Sequence, residues 1–208
     1  RLGEIAARVR DRADELRDRI WELAGGEFVI DSPKQLGEVL FERLGLPTFR
    51  RGKTGWSTDR KVLQLLAGKH PIIELIGQYR ELTKLDSTYL SALPELVDEA
   101  GRLHTTLAQT VAETGRLSSN NPNLQNIPIR TPLGREIRGA FTTDPGWRVI
   151  SCDYSQVELR ILAHVSGEPK LKEAFARGED IHRATAAEVL GVDPARLTSG
   201  ERSIAKMT

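Results

Sequence analysis

The sequence has almost no cysteine, no long apolar run and almost no net charge. Its 208 residues include one cysteine, Cys152, which excludes an intramolecular disulfide and fits a reducing cytosol. No apolar run is long enough to span a bilayer. The formal net charge of +1 by itself argues against nucleic acid as a partner. The length allows one or two small domains, and Cys152, which follows an apolar run, is predicted to be a small buried residue.

Hydrophobic periodicity predicts that the first half of the chain is helical. Apolar residues recur at three- and four-residue spacing over residues 2–23, and Gly25 ends the pattern. Ser32 followed by Pro33 predicts another helix start, with Gln35 completing a capping box. The later helices of this half are predicted at residues 32–45, in a short stretch ending at residue 68, and at residues 70–90.

From residue 102 onward, alternation of apolar and polar residues predicts β-structure. Residues 103–109 alternate in the manner of a half-buried strand, and residues 137–142 and 147–152 are interpreted as further strands. The predicted fold class is therefore α+β, in which a helical half precedes a partial antiparallel sheet. Helices are predicted again at residues 155–166, 170–177, 181–191 and from 198 onward.

The segment CDYSQVELR, residues 152–160, places an acid directly after the predicted strand 147–152. Asp153 would then lie at the end of a rigid element, a favourable place for a metal ligand. Ser155 and Glu158 have the S-x-x-E spacing of a capping box, so Glu158 could equally serve the start of a helix. The segment alone leaves both interpretations open.

A second segment, residues 114–130, reads TGRLSSNNPNLQNIPIR and is rich in Ser, Asn, Gly and Pro. Residues 102–138, which include it, hold five arginines, two acids and no lysine, a composition suited to phosphate and base-edge contacts. With the DYSQVELR stretch downstream, this segment resembles the family A DNA polymerases, the group of bacterial DNA polymerase I. The resemblance extends over nearly the whole chain, including YRELTKLDSTY and DIHRATAAEVLG.

The resemblance implies an architecture and an activity. It implies a helical thumb at residues 1–100, a palm region with an antiparallel sheet at 101–167, and the first fingers helices at 168–208. The activity would be DNA-templated addition of deoxynucleotides to a primer 3′ end, in replication and repair, by a cytoplasmic bacterial monomer. Its partners would be primer-template DNA, deoxynucleoside triphosphates and two Mg²⁺ ions, with no membrane. The predicted helix from 198 has barely begun at 208, so we expect a piece of a longer polypeptide.

The resemblance also implies roles for particular residues in catalysis. Asp153 would be one of two metal-bridging aspartates, and the backbone carbonyl of Tyr154 a further ligand. The second aspartate belongs to a later His-Asp-Glu pattern, and no such triplet follows Asp153. Glu158 would exclude the 2′ hydroxyl of a ribonucleotide. The residues that would contact the triphosphate are His182, Arg202 and Lys206.

Primer-template contacts are implied in two places. On the predicted helix 70–90, Arg80 and Lys84 lie four residues apart and would follow phosphates; without the resemblance they are ordinary surface charges. In the second segment, the residues that would face the duplex are Arg116, Asn123, Gln125, Asn126 and Arg130. The alternative to a polymerase is a DNA-binding module without catalytic activity, which the sequence beyond residue 208 would distinguish.

Overall fold

The computed structural model describes residues 1–52, 55–193 and 196–198. The chain divides into two compact units, Arg1–Asp144 and Pro145–Thr208. The described residues form helices and two small antiparallel sheets, so the predicted α+β class is confirmed. Among these residues, no helix combines the length and the apolar character needed to cross a bilayer.

The first unit begins with a 23-residue helix, α1, Leu2–Ala24. The helix ends where Gly25 adopts a left-handed conformation with φ 72°, which a residue without a Cβ reaches without strain. The predicted helix at residues 2–23 is therefore confirmed. Its buried stripe, spaced at three and four residues, comprises Ile5, Val9, Ala13, Leu16, Ile20 and Ala24, and Ala6 is buried beside it.

Helix α2, Pro33–Gly37, continues as a π-helical segment, Glu38–Arg43. Ser32 caps the start as predicted, and its hydroxyl accepts a hydrogen bond from the Gln35 amide at 3.5 Å. The other half of the predicted capping box is wrong, because the Gln35 side chain accepts from the Val29 amide at 2.8 Å instead. Two short antiparallel strands follow, β1 (Arg51–Gly52) and β2 (Gly55–Trp56).

Three further helices complete the helical half of the first unit. The predicted helix at residues 70–90 is confirmed, although its last turn is π-helical. Asp59 caps the start of the helix before it, accepting from the Val62 amide at 2.9 Å. The elements are α3 (Arg60–Leu65), α4 (Pro71–Leu85), the π-helical segment Asp86–Leu90 and α5 (Ala92–Glu95).

The core of the first unit lies between α1 and α4 and forms two clusters. The C-terminal half of α1 packs with α2, α3 and the first half of α4, and the large buried side chains there are Ile20, Leu36, Leu40, Leu66, Ile72 and Ile76. The N-terminal half of α1 packs with the end of α4 and with later segments. The buried residues of this second cluster are Ile5, Ala6, Val9, Leu85, Tyr89, Leu90, Leu93 and Ile137.

The second sheet pairs β3 (Thr106–Ala108) with β4 (Ser118–Asn120) in antiparallel register. The strand predicted at 103–109 is thus confirmed in its centre, whereas β4 was not predicted. The strand predicted at 137–142 is wrong, because α6 (Pro132–Arg138) occupies its start. The reason is local: the Thr131 hydroxyl accepts from the Gly134 amide at 3.1 Å and caps a helix with proline in its first turn.

The second unit contains α7 (Val157–Ser166), α8 (Pro169–Ala176) and α9 (Ile181–Leu190). The strand predicted at 147–152 is wrong, since this segment has no regular structure and pairs with no strand among the described residues. Val149 and Ile150 are accordingly 78% and 83% exposed. Cys152 is also exposed, so its predicted burial is wrong.

Candidate nucleic-acid interface and catalytic segment

The first unit carries an open cleft of about 440 Å³ where the end of α4 meets the loop after β4. Three of the residues predicted to contact DNA line it: Lys84, Asn123 and Asn126. The structure therefore brings together side chains that lie about forty positions apart in sequence. The other lining residues are Thr88, Tyr89, Leu93 and Pro122.

Lys84 lies in the last turn of α4, and its side chain is exposed. Tyr89 in the following π-helical segment is buried and donates its hydroxyl to the Asn126 carbonyl. Burial raises the pKa of the Tyr89 hydroxyl. This contact fixes the Asn126 backbone against the helix that carries Lys84.

The Gln125 side chain is held by its own loop. Its Nε2 donates to the Leu117 carbonyl at 3.0 Å, and its Oε1 accepts from the Ser119 amide at 3.3 Å. The Oδ1 of Asn123 in turn accepts from the Gln125 amide at 3.0 Å. The Gln125 side chain thus stabilises the loop through hydrogen bonds to its backbone, whereas Asn123 and Asn126 line the cleft.

Arg80 and Lys84 share α4 but have different surroundings. The Arg80 guanidinium is half-buried and donates to the Thr58 carbonyl at 2.5 Å and to the Thr58 hydroxyl at 3.4 Å. Burial lowers the pKa of Arg80, and the charge of Asp31 partly opposes this shift. Arg80 therefore links α4 to the segment before α3, while Lys84 extends into solvent at the cleft.

Arg116 and Arg130 are both exposed, and neither lines the cleft. The Arg130 carbonyl accepts a hydrogen bond from Nη1 of Arg135 at 3.0 Å, which ties the end of the loop to α6. Gly134 of α6 lies against Pro128 so closely that an added Cβ would be 2.6 Å from the proline Cβ. These two contacts hold the segment between Asn126 and Arg130 on α6.

The segment with the predicted catalytic residues lies in the second unit. Asp153 and Tyr154 are exposed and precede a turn, and Tyr154 is 83% exposed. Helix α7 begins at Val157 after Gln156, whose φ of 53° is left-handed and which forms no side-chain capping bond. The interpretation of Ser155 and Glu158 as a capping box is therefore wrong, because the cap residue of α7 is Gln156.

Glu158 itself lies in the first turn of α7, and its side chain is exposed. Ser155 contributes its carbonyl rather than its hydroxyl to the start of this helix. That carbonyl accepts a hydrogen bond from Nε of Arg160 at 2.9 Å. The Arg160 guanidinium also lies 4.6 Å from the ring centre of Phe175 in α8, so it holds the start of α7 against α8.

Gln156 connects the segment around Asp153 to α9. Its side-chain Oε1 accepts from the Ile181 amide at 3.3 Å, and Asp180 caps α9 by accepting from the Arg183 amide at 3.2 Å. His182 lies between these positions in the backbone of α9, and its side chain is outside the described structure. Because two amides of the first turn already have protein acceptors, the helix terminus alone is not an open anion site. Arg202 and Lys206 lie outside the described residues.

The carboxylates of the described chain do not cluster. Within residues 1–52, 55–193 and 196–198, no three His, Cys, Asp or Glu side chains are grouped closely enough to hold a metal ion. The exposed Asp153 carboxylate fits the role of one oxygen ligand for a hard cation. It does not fit a two-ion site by itself, because such a site needs several carboxylate oxygens.

Sequence comparison finds relatives over nearly the whole chain. DNA polymerase I of Chloroflexus aurantiacus is 50% identical over 99% of this chain and 22% of its own length. The thermostable DNA polymerase I of Thermus filiformis is 51% identical over 99% and 25%, and DNA polymerase I of Deinococcus radiodurans is 52% identical over 99% and 22%. The chain thus spans about a quarter of the length of these relatives.

Structural comparison agrees with the sequence relatives. The polymerase domain of Pol1 from M. smegmatis, solved in complex with DNA primer-template and dNTP, matches with a TM-score of 0.89 and 39% identity. The match covers 99% of this chain and 37% of that one. The match to the family described as DNA polymerase family A extends over residues 1–208, and the chain therefore belongs to that family.

Proposed function

We propose that this chain is part of a DNA-templated DNA polymerase that adds deoxynucleotides to the 3′ end of a primer. The main observation behind the proposal is the cleft lined by Lys84, Asn123 and Asn126. It presents a cation and two amide side chains on one surface. Two facts about similar proteins support it. The relatives are DNA polymerases I, and the M. smegmatis domain was solved with primer-template and dNTP.

The cleft provides two kinds of contact to duplex DNA. The Lys84 ammonium is a mobile point charge that can neutralise one phosphate and release its counterions. The amides of Asn123 and Asn126 can donate to minor-groove acceptors that all four base-pair orientations present. Such contacts detect correct pairing geometry without reading sequence. We propose that the exposed Arg116 and Arg130 add phosphate contacts, and that Gln125 and Arg80 support this surface.

For the complete polymerase we propose that Asp153 and the Tyr154 carbonyl hold Mg²⁺ together with a carboxylate from elsewhere in the polypeptide. Two such ions, when bound, supply positive charge to the primer hydroxyl and to the triphosphate. The contribution of the described residues is positional. Gln156 links the Asp153 segment to the start of α9 through its 3.3 Å contact with the Ile181 amide. The segment and the helix that carries His182 are thereby held side by side.

We also propose the nucleotide contacts. Glu158, in the first turn of the helix that follows Asp153, would occupy the space of a 2′ hydroxyl and so select deoxynucleotides. His182, Arg202 and Lys206 would contact the triphosphate, with Arg202 as a multi-donor group and Lys206 as a point charge. In this assignment residues 1–100 form the thumb, 101–167 the palm region and 168–208 the start of the fingers. The complete polymerase would act as a monomer in replication and repair.

Fluorescence anisotropy with a labelled primer-template duplex tests the DNA-binding part of this proposal. The 208-residue chain and its Lys84→Ala variant are titrated over a series of salt concentrations. We expect the slope of log Kobs against log salt to decrease in magnitude by about 0.9 in the variant, because one phosphate contact is lost. Lys34→Ala removes an exposed lysine of α2 outside the cleft and serves as the control. Equal slopes for all three proteins would contradict the proposal.

A further inference from the structure

Two hydroxyl groups lie beneath the loop that carries Asn123. Ser119 lies in β4 and is 1% exposed, and Thr105 immediately precedes β3 and is half-buried. The antiparallel register of the two strands brings them together, with 2.7 Å between their hydroxyl oxygens. A buried hydroxyl is costly unless it is hydrogen-bonded, so its partners show which groups it holds in place.

The partners of this hydroxyl pair are backbone groups of the loop. The Leu124 amide donates to the Ser119 oxygen at 3.0 Å, and the Thr105 oxygen lies 2.8 Å from the Pro122 carbonyl. Each hydroxyl has one hydrogen to donate. All three short contacts are satisfied together if Ser119 donates to Thr105 and Thr105 donates to Pro122. Each hydroxyl also has an alternative acceptor. The Ser119 oxygen is 3.3 Å from the Pro122 carbonyl oxygen, and the Thr105 oxygen is 3.1 Å from the Asn120 carbonyl oxygen. Both distances are longer than those of the arrangement just described.

The resulting chain of hydrogen bonds runs from the Leu124 amide through both hydroxyls to the Pro122 carbonyl. We propose that this hydroxyl relay, Ser119 and Thr105, is a positioning element for Asn123, the residue between its two ends. The role rests on the proposed function, because it assigns the relay to the duplex-binding cleft. Hydrogen bonds in such a chain polarise one another, so the loss of one hydroxyl weakens the whole chain.

A second set of contacts shows that the loop is fixed as a unit. The Gln125 side chain bridges the Leu117 carbonyl and the Ser119 amide, at 3.0 Å and 3.3 Å. The Asn123 side chain accepts from the Gln125 amide through Oδ1, so its orientation depends on the same backbone. A side chain held in this way loses little rotational freedom when it binds a duplex, which favours affinity.

The test combines a loop measurement with a binding measurement. Thr105→Val keeps the shape of the side chain and removes the relay hydroxyl, whereas Thr105→Ser keeps the hydroxyl. Thr83→Val is the matched control, because the Thr83 hydroxyl also bonds a backbone carbonyl, that of Tyr79 at 3.1 Å, but within α4. NMR amide exchange reports on the loop, and anisotropy with a primer-template duplex reports on binding.

We expect Thr105→Val to speed exchange of the Leu124 amide and to weaken duplex binding by about fivefold, or about 1 kcal/mol at 1.4 kcal/mol per tenfold. The salt dependence should not change, because Asn123 is uncharged. Thr105→Ser should restore both values, and Thr83→Val should alter neither. A merely structural role would not predict weaker binding at constant salt slope together with rescue by serine.

A double-mutant cycle with Asn123→Ala separates the possible failures. If the relay acts through Asn123, Thr105→Val has no further effect on binding in the Asn123→Ala background. Additive losses would overturn the positioning role. Unchanged binding by Thr105→Val would also overturn it, and the proposed function would stand as long as Asn123→Ala weakens binding. If neither substitution weakens binding, both the cleft assignment and the positioning role are wrong.

Discussion

Gly134→Ala offers the sharpest test of the packing between α6 and the loop that leads from the cleft. A Cβ built at Gly134 would be 2.6 Å from the Pro128 Cβ and 2.9 Å from the Pro128 carbonyl oxygen. Neither neighbour is the free end of a flexible side chain, so either the backbone at Pro128 or α6 must shift. The fully buried Ile137 of the same helix resists movement of α6.

The magnitude follows from two opposing effects. Alanine is favoured over glycine inside a helix by about 1 kcal/mol. Overpacking of a close contact costs about 1–3 kcal/mol. The balance predicts a net loss of about 1 kcal/mol for Gly134→Ala, which lowers Tm by about 2–4 °C in a unit of this size.

Gly77→Ala is the matched control. Gly77 lies inside α4, and a Cβ there would meet nothing within 4 Å, so only the helix preference acts. We expect Gly77→Ala to raise Tm and Gly134→Ala to lower it, both measured by calorimetry under identical conditions. An increase in Tm for Gly134→Ala comparable to that for Gly77→Ala would refute the close contact between α6 and Pro128.

Three further predictions concern charge, selectivity and activity. The hydrogen bond from the Val62 amide lowers the pKa of Asp59 in the folded protein. The ionised carboxylate therefore stabilises the fold at pH values above the pKa of the unfolded chain, about 3.9. This stabilisation is lost as the pH falls through the lower pKa of the folded protein. Urea unfolding of Asp59→Asn should therefore depend less on pH below about pH 5 than unfolding of the wild type. In the complete polymerase, Glu158→Ala should increase kcat/KM for ribonucleotides relative to deoxynucleotides; an unchanged ratio would exclude a sugar gate. The 208-residue chain alone should not extend a primer with Mg²⁺, and template-dependent product would contradict this prediction.

Local signals in the sequence predicted most of the helices. The apolar spacing of α1 and the glycine that ends it involve only neighbouring residues, and the structure reproduces both. Ser32 with Pro33 marks the start of α2, and this signal too involves only neighbouring residues. Thr131 with Pro132 is the corresponding start signal for α6, and the strand predicted at residues 137–142 did not take it into account.

Strands and tertiary contacts were harder to predict because they depend on distant partners. Residues 147–150, which are apolar except for Arg148, have a strand-like composition. A strand also needs a neighbour, and the described chain provides none there. The contact between the Thr105 and Ser119 hydroxyls depends on the register of β3 and β4, which pairs Leu107 with Ser119 and which single residues do not specify. The resemblance to family A predicted DNA contacts for Lys84, Asn123 and Asn126, and the structure adds that these residues share a cleft.

The most direct test of the cleft as a DNA-binding surface is an NMR titration of the 208-residue chain with a primer-template duplex. The amides and side-chain amides of Asn123 and Asn126, and the amides around Lys84, are assigned and followed during the titration. We predict that their resonances shift in a saturable manner and that residues of α3, away from the cleft, do not. Saturable shifts confined to other surfaces would contradict the account. So would a titration in which no cleft resonance shifts at any duplex concentration.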